Sequence, residues 1–481
     1  MLRLKIVSTT VLVLATTAAF LSQATFAADS PLPKPNIIIL LADDLGWGDV
    51  GYNGSVIDTP NIDRLACEGV RLTNFRVEPL CSPTRAGLMT GRWPIRYGMG
   101  EAVITPWRKH GLPVTEQTLA DMLARAGYKR RAAVGKWHLG HYQKKYLPLN
   151  RGFTFFYGHY NGAFDYFTHK RENELDWHRN WETSYDEGYS TDLIGREAAR
   201  FIEDNPTDDP FFLYVPFNAP HSPMQAKEED IARYEDRVAE MKPRIYAAMV
   251  DSMDQAIGKI LAAVNKKGIR DNTFVLFMSD NGGAMSFGAV NRPWRSGKGN
   301  VYEGGIRVPA VVHWPSGELE GGKVCDAMMG HVDVYPTLKR IAGVTTEDVN
   351  ALDGIDVLDI IRGKKQAPER SWLSYIAQGS QDKTAILEGR WKLVVMGGPV
   401  TDVPLTSVGN QESMPPKMSL ELYDLDQDPS EENNIAAEHP KVGAALLKKL
   451  HGFRSLKQEG IPHFQEGMKQ FTAPKEWKIE D

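Results

Sequence analysis

The sequence contains very little cysteine: Cys67, Cys81 and Cys325 are the three in 481 residues. So few cysteines exclude a small scaffold held together by disulfides. Because the number is odd, at least one thiol is unpaired or chemically modified. A disulfide between Cys67 and Cys325 is possible, and the sequence does not decide it.

The sequence also lacks an excess of positive charge. It has 56 lysines and arginines against 61 aspartates and glutamates, a formal net charge of −5. This balance, without a basic stripe, argues against a nucleic-acid partner. It does not exclude an anionic substrate, because a local cluster of cations is enough to bind one.

Long hydrophobic runs are absent beyond the N-terminus, and none approaches the ~20 residues of a membrane span. Residues 1–27 combine Arg3 and Lys5 with the apolar run "VLVLATTAAFL" and a small-residue end at Ala27. This pattern predicts a signal peptide. A retained anchor is the alternative, but the run is too short for it. We therefore expect a periplasmic or secreted protein without a membrane span after signal removal.

Short apolar runs alternate with helical patterns along most of the chain. The runs "NIIILLADD", "RAAVGK", "FFLYVPF", "FVLFMSD" and "VPAVVHW" predict buried strands. The alternation predicts an α/β fold over residues 28–363, with a large, mostly parallel sheet sandwiched by helices. After the charged link "RGKKQAPERSW", residues 364–481 predict a smaller α+β domain with a short antiparallel sheet.

Polar side chains follow four of the predicted strands. In chain order they are Asp43 and Asp44, Lys136 and His138, His221, and Asp280 and Asn281. The carboxyl ends of parallel strands meet at one edge of a sheet, where ligands bind. Each group has an ordinary explanation as a cap, turn or loop residue. Their coincidence at one edge favours a functional site.

Oxygen donors dominate this set. Asp43, Asp44, Asp280 and Asn281 supply three carboxylates and one amide. Such hard donors suit Ca²⁺ or Mg²⁺ better than zinc, which favours nitrogen and sulfur.

The stretch "PLCSPTRAGLMTGR" predicts a short helix. Ser82 is expected as its N-cap, Pro83 as its first residue, and Gly91 as its end. Cys81 would then lie at the positive end of the helix dipole, which lowers a thiol pKa, with Arg85 one turn away. This combination suits a tetrahedral oxyanion. The alternative is a buried structural cysteine.

These residues resemble the type I sulfatases of the alkaline phosphatase superfamily. "CSPTR" matches that family's Cys-X-Pro-X-Arg signature, and "GLMTGR" continues it. The resemblance extends through "LADDLGWGDVGYNG", "VGKWHLG", "NAPHSP", "SDNGG" and "LYDLDQDPSEENN". It implies a sulfuric ester hydrolase whose catalytic domain is residues 28–363.

The resemblance also implies two cofactors. Cys81 would be oxidised to formylglycine by a formylglycine-generating or sulfatase-maturing enzyme. One Ca²⁺ would be held by residue 81 together with Asp43, Asp44, Asp280 and Asn281. One hydroxyl of the hydrated aldehyde would attack sulfur, giving a sulfo-enzyme intermediate. Deprotonation of the other hydroxyl would then release sulfate.

Further roles are implied for the remaining site residues. Three cations would stabilise the sulfate oxygens: Arg85, Lys136 and Lys298. His138 would hydrogen-bond the second hydroxyl, and Asp280 would accept a proton from the attacking one. His221, together with Lys298, would protonate the departing alcohol.

The substrate expected from the resemblance is a sulfated saccharide. The sequence around these motifs most resembles that of N-acetylgalactosamine-4-sulfatases of the arylsulfatase B type. The range Phe153–Trp181 holds ten aromatic residues interleaved with His159, His169, His178 and Arg179. Rings and cations of this kind suit sulfated sugars. Galactose or N-acetylgalactosamine 4-sulfate, as in carrageenan or chondroitin/dermatan, is the preferred target. The alternative is a loop that packs its own core.

Two other functions remain open from the sequence. One is a phosphodiesterase or phosphonate hydrolase of the same superfamily. Asn281 disfavours it, because relatives with two zinc ions place a histidine there. The other is a non-catalytic polysaccharide-binding protein with unmodified Cys81, which would not need both His138 and His221.

Overall fold

The computed structural model describes residues 34–378, 381–461 and 467–479. The signal peptide predicted for residues 1–27 lies outside this part of the chain. From Lys34 onward the described residues form one compact unit. None of its helices combines the length and apolar character that crossing a membrane requires.

Eighteen strands occur in the described residues: β1 (Asn36–Ala42), β2 (Val70–Leu72), β3 (Phe75–Arg76), β4 (Arg130–Lys136), β5 (Phe155–His159), β6 (Lys170–Arg171), β7 (Glu174–Leu175), β8 (His178–Arg179), β9 (Glu182–Thr183), β10 (Phe211–Pro216), β11 (Thr273–Ser279), β12 (Ala310–His313), β13 (Lys323–Cys325), β14 (Met329–Gly330), β15 (Ser371–Gln378), β16 (Gln381–Glu388), β17 (Trp391–Met396) and β18 (Ser419–Asp424). Ten α-helices accompany them in the same ranges: α1 (Pro60–Glu68), α2 (Cys81–Thr90), α3 (Leu119–Arg125), α4 (Ser190–Glu203), α5 (Glu228–Ala232), α6 (Met241–Lys266), α7 (Glu303–Ile306), α8 (Val334–Ile341), α9 (Leu358–Ile361) and α10 (Pro440–Arg454).

The main sheet has ten strands in the order β13-β2-β12-β11-β1-β10-β4-β5-β8-β9. Its five central strands, β11, β1, β10, β4 and β5, are parallel to one another. Strands β12, β8 and β9 add antiparallel pairs toward the two edges. The predicted mostly parallel α/β sheet is confirmed.

Strand β1 shows why the sheet is covered on both faces. All seven of its residues are buried. Ile37 and Ile39 pack into a core with α2, α3 and α8, whereas Ile38 and Leu40 pack into a second core with α4 and α6. A strand with two buried faces is apolar throughout, as the run "IIILL" is.

The predicted C-terminal antiparallel sheet is also confirmed. Strands β15, β16, β17 and β18 pair in sequence order, and all three pairings are antiparallel. Helix α10 packs on one face. On the other face Ile376 and Val394 meet Leu80, the residue before Cys81. The change in architecture falls between α9 and β15, and a domain boundary at residues 363 and 364 stays a prediction.

Candidate active site

The predicted edge of the sheet is where the polar residues meet. Asp43 follows β1, Lys136 ends β4, and Asp280 follows β11. Since β1 lies between β10 and β11, and β4 adjoins β10, these strand ends are neighbours. Potential ligand atoms of Asp43, Cys81 and Asp280 lie within 4.8 Å of one another, and so do those of Asp43, Asp44 and His221.

Three cations balance the carboxylates at this edge. The Arg85 guanidinium donates to Asp280 Oδ2 at 2.8 Å and 3.0 Å. Lys136 pairs with Asp43, and Lys298 Nζ lies 2.7 Å from Asp44. Buried carboxylates are stable only when paired in this way. The structure therefore brings every predicted cation to the predicted acidic cluster.

The oxygen donors fit a divalent cation. Asp43 Oδ1 and Asn281 Oδ1 are buried and lack a hydrogen-bond partner among the described residues. The Asn281 amide nitrogen donates to Asp44 Oδ1 at 2.8 Å, which directs its oxygen elsewhere. Burial, and then the charge of Asp43, raise the pKa of Asp280. A cation bound here would satisfy the free oxygens and favour the charged carboxylates.

The environment of Cys81 differs from the prediction. Helix α2 begins at Cys81 itself, with Leu80 before it, so the prediction that Ser82 caps the helix and Pro83 begins it is wrong. Gly91 does end the helix, at φ 68°. Burial raises the pKa of the Cys81 thiol and outweighs Lys136 and Lys298. The predicted low-pKa thiol is therefore also wrong, because the helix end is desolvated.

The Ser82 hydroxyl serves a different purpose from capping. It donates to the His138 carbonyl oxygen at 3.1 Å and accepts from the Ile104 backbone amide at 3.2 Å. His138 Nε2 lies 3.0 Å from the Ile104 carbonyl oxygen. Because that oxygen accepts, Nε2 carries the proton and the unpartnered Nδ1 is a hydrogen-bond acceptor. Burial, and then Lys136, hold the pKa of His138 well below its usual value, so the ring is neutral.

A cavity of about 550 Å³ lies beside these groups, and we call it the sulfate cavity. Its polar lining includes five side chains relevant to chemistry: Cys81, His138, Arg171, His221 and Lys298. Arg85 and Lys136 are fully buried and are not part of the lining. The sequence interpretation missed Arg171. The signal was present in "FTHKR", within the aromatic segment already singled out.

The aromatic segment packs largely on itself. The His159 ring stacks on Phe164 at 3.9 Å, and His169 stacks on Trp177 at 4.7 Å. The other two side chains contact carboxylates, His178 with Asp176 and Arg179 with Glu197. None of these four side chains is part of the lining of the sulfate cavity, whereas Arg171 of the same segment is. Most of the segment therefore packs as a loop with its own core, as the alternative predicted, and contact of these side chains with a sugar stays a prediction.

Comparison with known proteins decides the family. The sulfatase family model matches residues 35–344. The chain belongs to the sulfatase family. It is 33% identical to arylsulfatase J of Mus musculus, over 87% of this chain and 76% of that protein. It is 37% identical to N-acetylgalactosamine-6-sulfatase of Homo sapiens, over 69% of this chain and 66% of that protein.

A solved structure has the same fold. The crystal structure of Ps i-CgsB matches with a TM-score of 0.81 and 32% identity, over 90% of this chain and 96% of that one. The same protein in complex with k-i-k-neocarrahexaose matches with a TM-score of 0.80. The predicted type I sulfatase and its class, a sulfuric ester hydrolase, are confirmed. A non-catalytic binding protein is thereby set aside. Sulfatases generally use Ca²⁺ and a formylglycine made from cysteine.

Proposed function

We propose that this sulfatase is periplasmic or secreted and removes 4-sulfate from galactose or N-acetylgalactosamine units, as in carrageenan or chondroitin/dermatan. The observation that carries the proposal is the position of Cys81 in the sulfate cavity, facing Lys298, His221 and Arg171. This lining is cationic enough to bind an ester sulfate. The similarity to a protein crystallised with a carrageenan hexasaccharide supports a saccharide substrate.

The proposal includes two groups that the chain itself would hold. Residue 81, as formylglycine made by a maturing enzyme, would supply the attacking hydroxyl. Ca²⁺ would be bound by residue 81 with Asp43, Asp44, Asp280 and Asn281. When bound, Ca²⁺ would polarise sulfate oxygens and lower the pKa of the hydroxyl. The unpartnered oxygens of Asp43 and Asn281 support this ligand set.

The cations divide into two roles in this proposal. Lys298 lines the cavity and binds sulfate oxygens directly. Arg85 and Lys136 pair with Asp280 and Asp43, do not line the cavity, and act on the sulfate through their charge. Fixed charges in a buried setting stabilise the developing charge without reorganisation.

In this proposal, protons are transferred by side chains whose charge state is determined by the groups around them. His138 Nδ1 is an acceptor for the second hydroxyl of residue 81, and Asp280 accepts from the attacking one. Burial, and then the charge of Lys298, lower the pKa of His221 to about 3. The imidazole ring is therefore neutral at pH 7 before substrate binds. Burial opposes the charged form of Lys298, but Asp44 and the other nearby acidic groups together outweigh it and raise the pKa of Lys298. Lys298 is therefore the member that carries the proton before substrate binds, and His221 would take this proton and pass it to the leaving oxygen as the ester bond breaks.

A His221→Ala variant should discriminate between leaving groups. We expect kcat to fall ~10²–10³-fold for a sugar sulfate, whose alcohol leaves poorly without a proton. For p-nitrophenyl sulfate, whose phenolate is a good leaving group, the loss should be below ~10-fold. Steady-state kinetics with both substrates measure this difference. Equal losses would assign His221 to positioning rather than to leaving-group protonation.

The substrate proposal is tested by sulfate release from defined galactosides. We expect 4-sulfated compounds to be hydrolysed with at least ~10-fold higher kcat/KM than 6-sulfated ones, since each misplaced sulfate loses a charge-assisted contact. Chelator-treated enzyme is the negative control, and Ca²⁺ should restore it. A clear preference for 6-sulfate would reject the proposed position. Faster turnover of an aryl phosphodiester than of an aryl sulfate would favour the phosphodiesterase or phosphonate hydrolase alternative.

A further inference from the structure

A second and larger cavity adjoins the sulfate cavity. This outer groove has a volume of about 1140 Å³. It is lined by Pro106, Trp107 and Lys109, by residues 141–143, and by the C-terminal segment from Gly467 to Ile479. Pro106 lines both cavities, so the two are adjacent at this residue. Nothing in the reaction chemistry described above uses the outer groove.

Aromatic side chains line the outer groove. Trp107 and Phe471 are half-buried, with ring centroids 6.4 Å apart in an edge-to-face arrangement. Tyr142 is 40% exposed. Aromatic faces that remain accessible stack well against the apolar faces of sugar rings.

Among the described residues, lysines outnumber carboxylates in the lining of the outer groove. In the ranges 34–378, 381–461 and 467–479, these are Lys109, Lys475 and Lys478 against one carboxylate, Glu476. Glu476 is already engaged by the Tyr185 hydroxyl at 2.7 Å and by Lys478 at 3.2 Å. Lys109 lies over the Tyr142 ring, 5.1 Å from its centroid, which places a cation beside an aromatic face. Such a surface attracts anionic ligands.

The groove is preformed, because hydrogen bonds hold the segments that line it. Trp477 is buried, and its Nε1 donates to the Arg171 carbonyl oxygen at 3.0 Å. This bond holds the C-terminal segment against the strand that carries Arg171, a residue of the sulfate cavity. His141 Nε2 donates to the Pro106 carbonyl oxygen at 3.0 Å. Preformed cavities bind with less loss of conformational entropy.

We propose that the outer groove binds the sulfated sugar units next to the one that is hydrolysed. The enzyme then prefers oligosaccharides to monosaccharides. The sulfate cavity alone has the size of a site for one small ligand, and the outer groove provides at least as much space again. This inference rests on the proposed saccharide substrate and extends it to chain length.

Kinetics across chain lengths test the inference. For carrageenan-derived oligosaccharides of two, four and six sugars, we expect kcat/KM to rise at least ~10-fold from the shortest to the longest, because more cation and ring contacts form. In a Lys109→Ala/Lys475→Ala variant, the ratio of kcat/KM for the hexasaccharide to that for p-nitrophenyl sulfate should fall ~10-fold. Lys448→Ala, at an exposed position on α10, should keep the wild-type ratio.

Direct binding separates this inference from the proposed function. Calorimetric titration of the hexasaccharide into a Cys81→Ala background measures affinity without turnover. Weaker binding after the two lysine substitutions supports the outer groove, even if the wild-type enzyme fails to hydrolyse that saccharide and the proposed substrate is rejected. Unchanged affinity overturns the outer groove. So does a kcat/KM that is independent of chain length.

Discussion

A Cys81→Ala variant is expected to lose sulfatase activity by a factor of at least ~10⁴, whichever sulfate ester is used. The substitution removes the side chain that would become the nucleophile and one of the proposed calcium ligands. Cys81 is 1% exposed within helix α2, and alanine occupies less space without introducing a charge. Loss of activity should therefore occur in a folded protein, which circular dichroism and the unfolding temperature check.

Cys67 provides the matched control for this experiment. It is an exposed cysteine on α1 and is not bonded to another cysteine. Cys67→Ala should keep the wild-type kcat/KM. Mass spectrometry of the peptide containing residue 81 should show an aldehyde in active wild-type enzyme. Full activity from a protein whose Cys81 remains a thiol would contradict the proposed nucleophile.

The largest loss of stability is expected from Lys392→Met. Lys392 is fully buried on β17, with its Nζ 2.9 Å from Glu303 and 2.7 Å from Glu431. Glu303 keeps its bidentate pair with Arg76 after the substitution, but Glu431 loses its cation. An uncompensated buried charge costs ~3–5 kcal/mol. We expect the free energy of unfolding in urea to fall by that amount.

Another lysine–glutamate pair of the same region serves as the control. Lys449 on α10 pairs with Glu388 at the end of β16, and both side chains are partly exposed, at 49% and 35%. Lys449→Met should cost no more than ~1 kcal/mol, because water solvates the remaining charge. Adding Glu431→Gln to Lys392→Met should recover part of the stability. Similar losses at the two lysines would contradict the buried-charge explanation.

The acidic cluster could be predicted because its members come just after strands that can be recognised from their apolar sequence. Asp43 directly follows the apolar run of β1, and Asp280 directly follows that of β11. Parallel pairing of these two strands brings the carboxylates to one edge. Apolar patterning specifies such strands, and chain direction then places the residues after them at that edge.

The properties of Cys81 could not be predicted in the same way. The dipole of a short helix and nearby cations are visible in sequence, and both favour a thiolate. Desolvation is not visible, because it depends on how closely Leu80 and the C-terminal sheet cover the helix end. Burial outweighs the other effects and raises the thiol pKa. For the same reason the cations of Phe153–Trp181 could be counted but not assigned to the core or the surface.

The sequence by itself therefore determined the α/β sheet, the residues at its functional edge and their resemblance to sulfatases, since all of these derive from short apolar runs and from motifs contiguous in the chain. Only the tertiary structure decided which cations face the sulfate cavity, how solvent is excluded from Cys81, and that Lys109 and Lys475 share one groove. Those features depend on packing between segments hundreds of residues apart, and no local pattern encodes that packing.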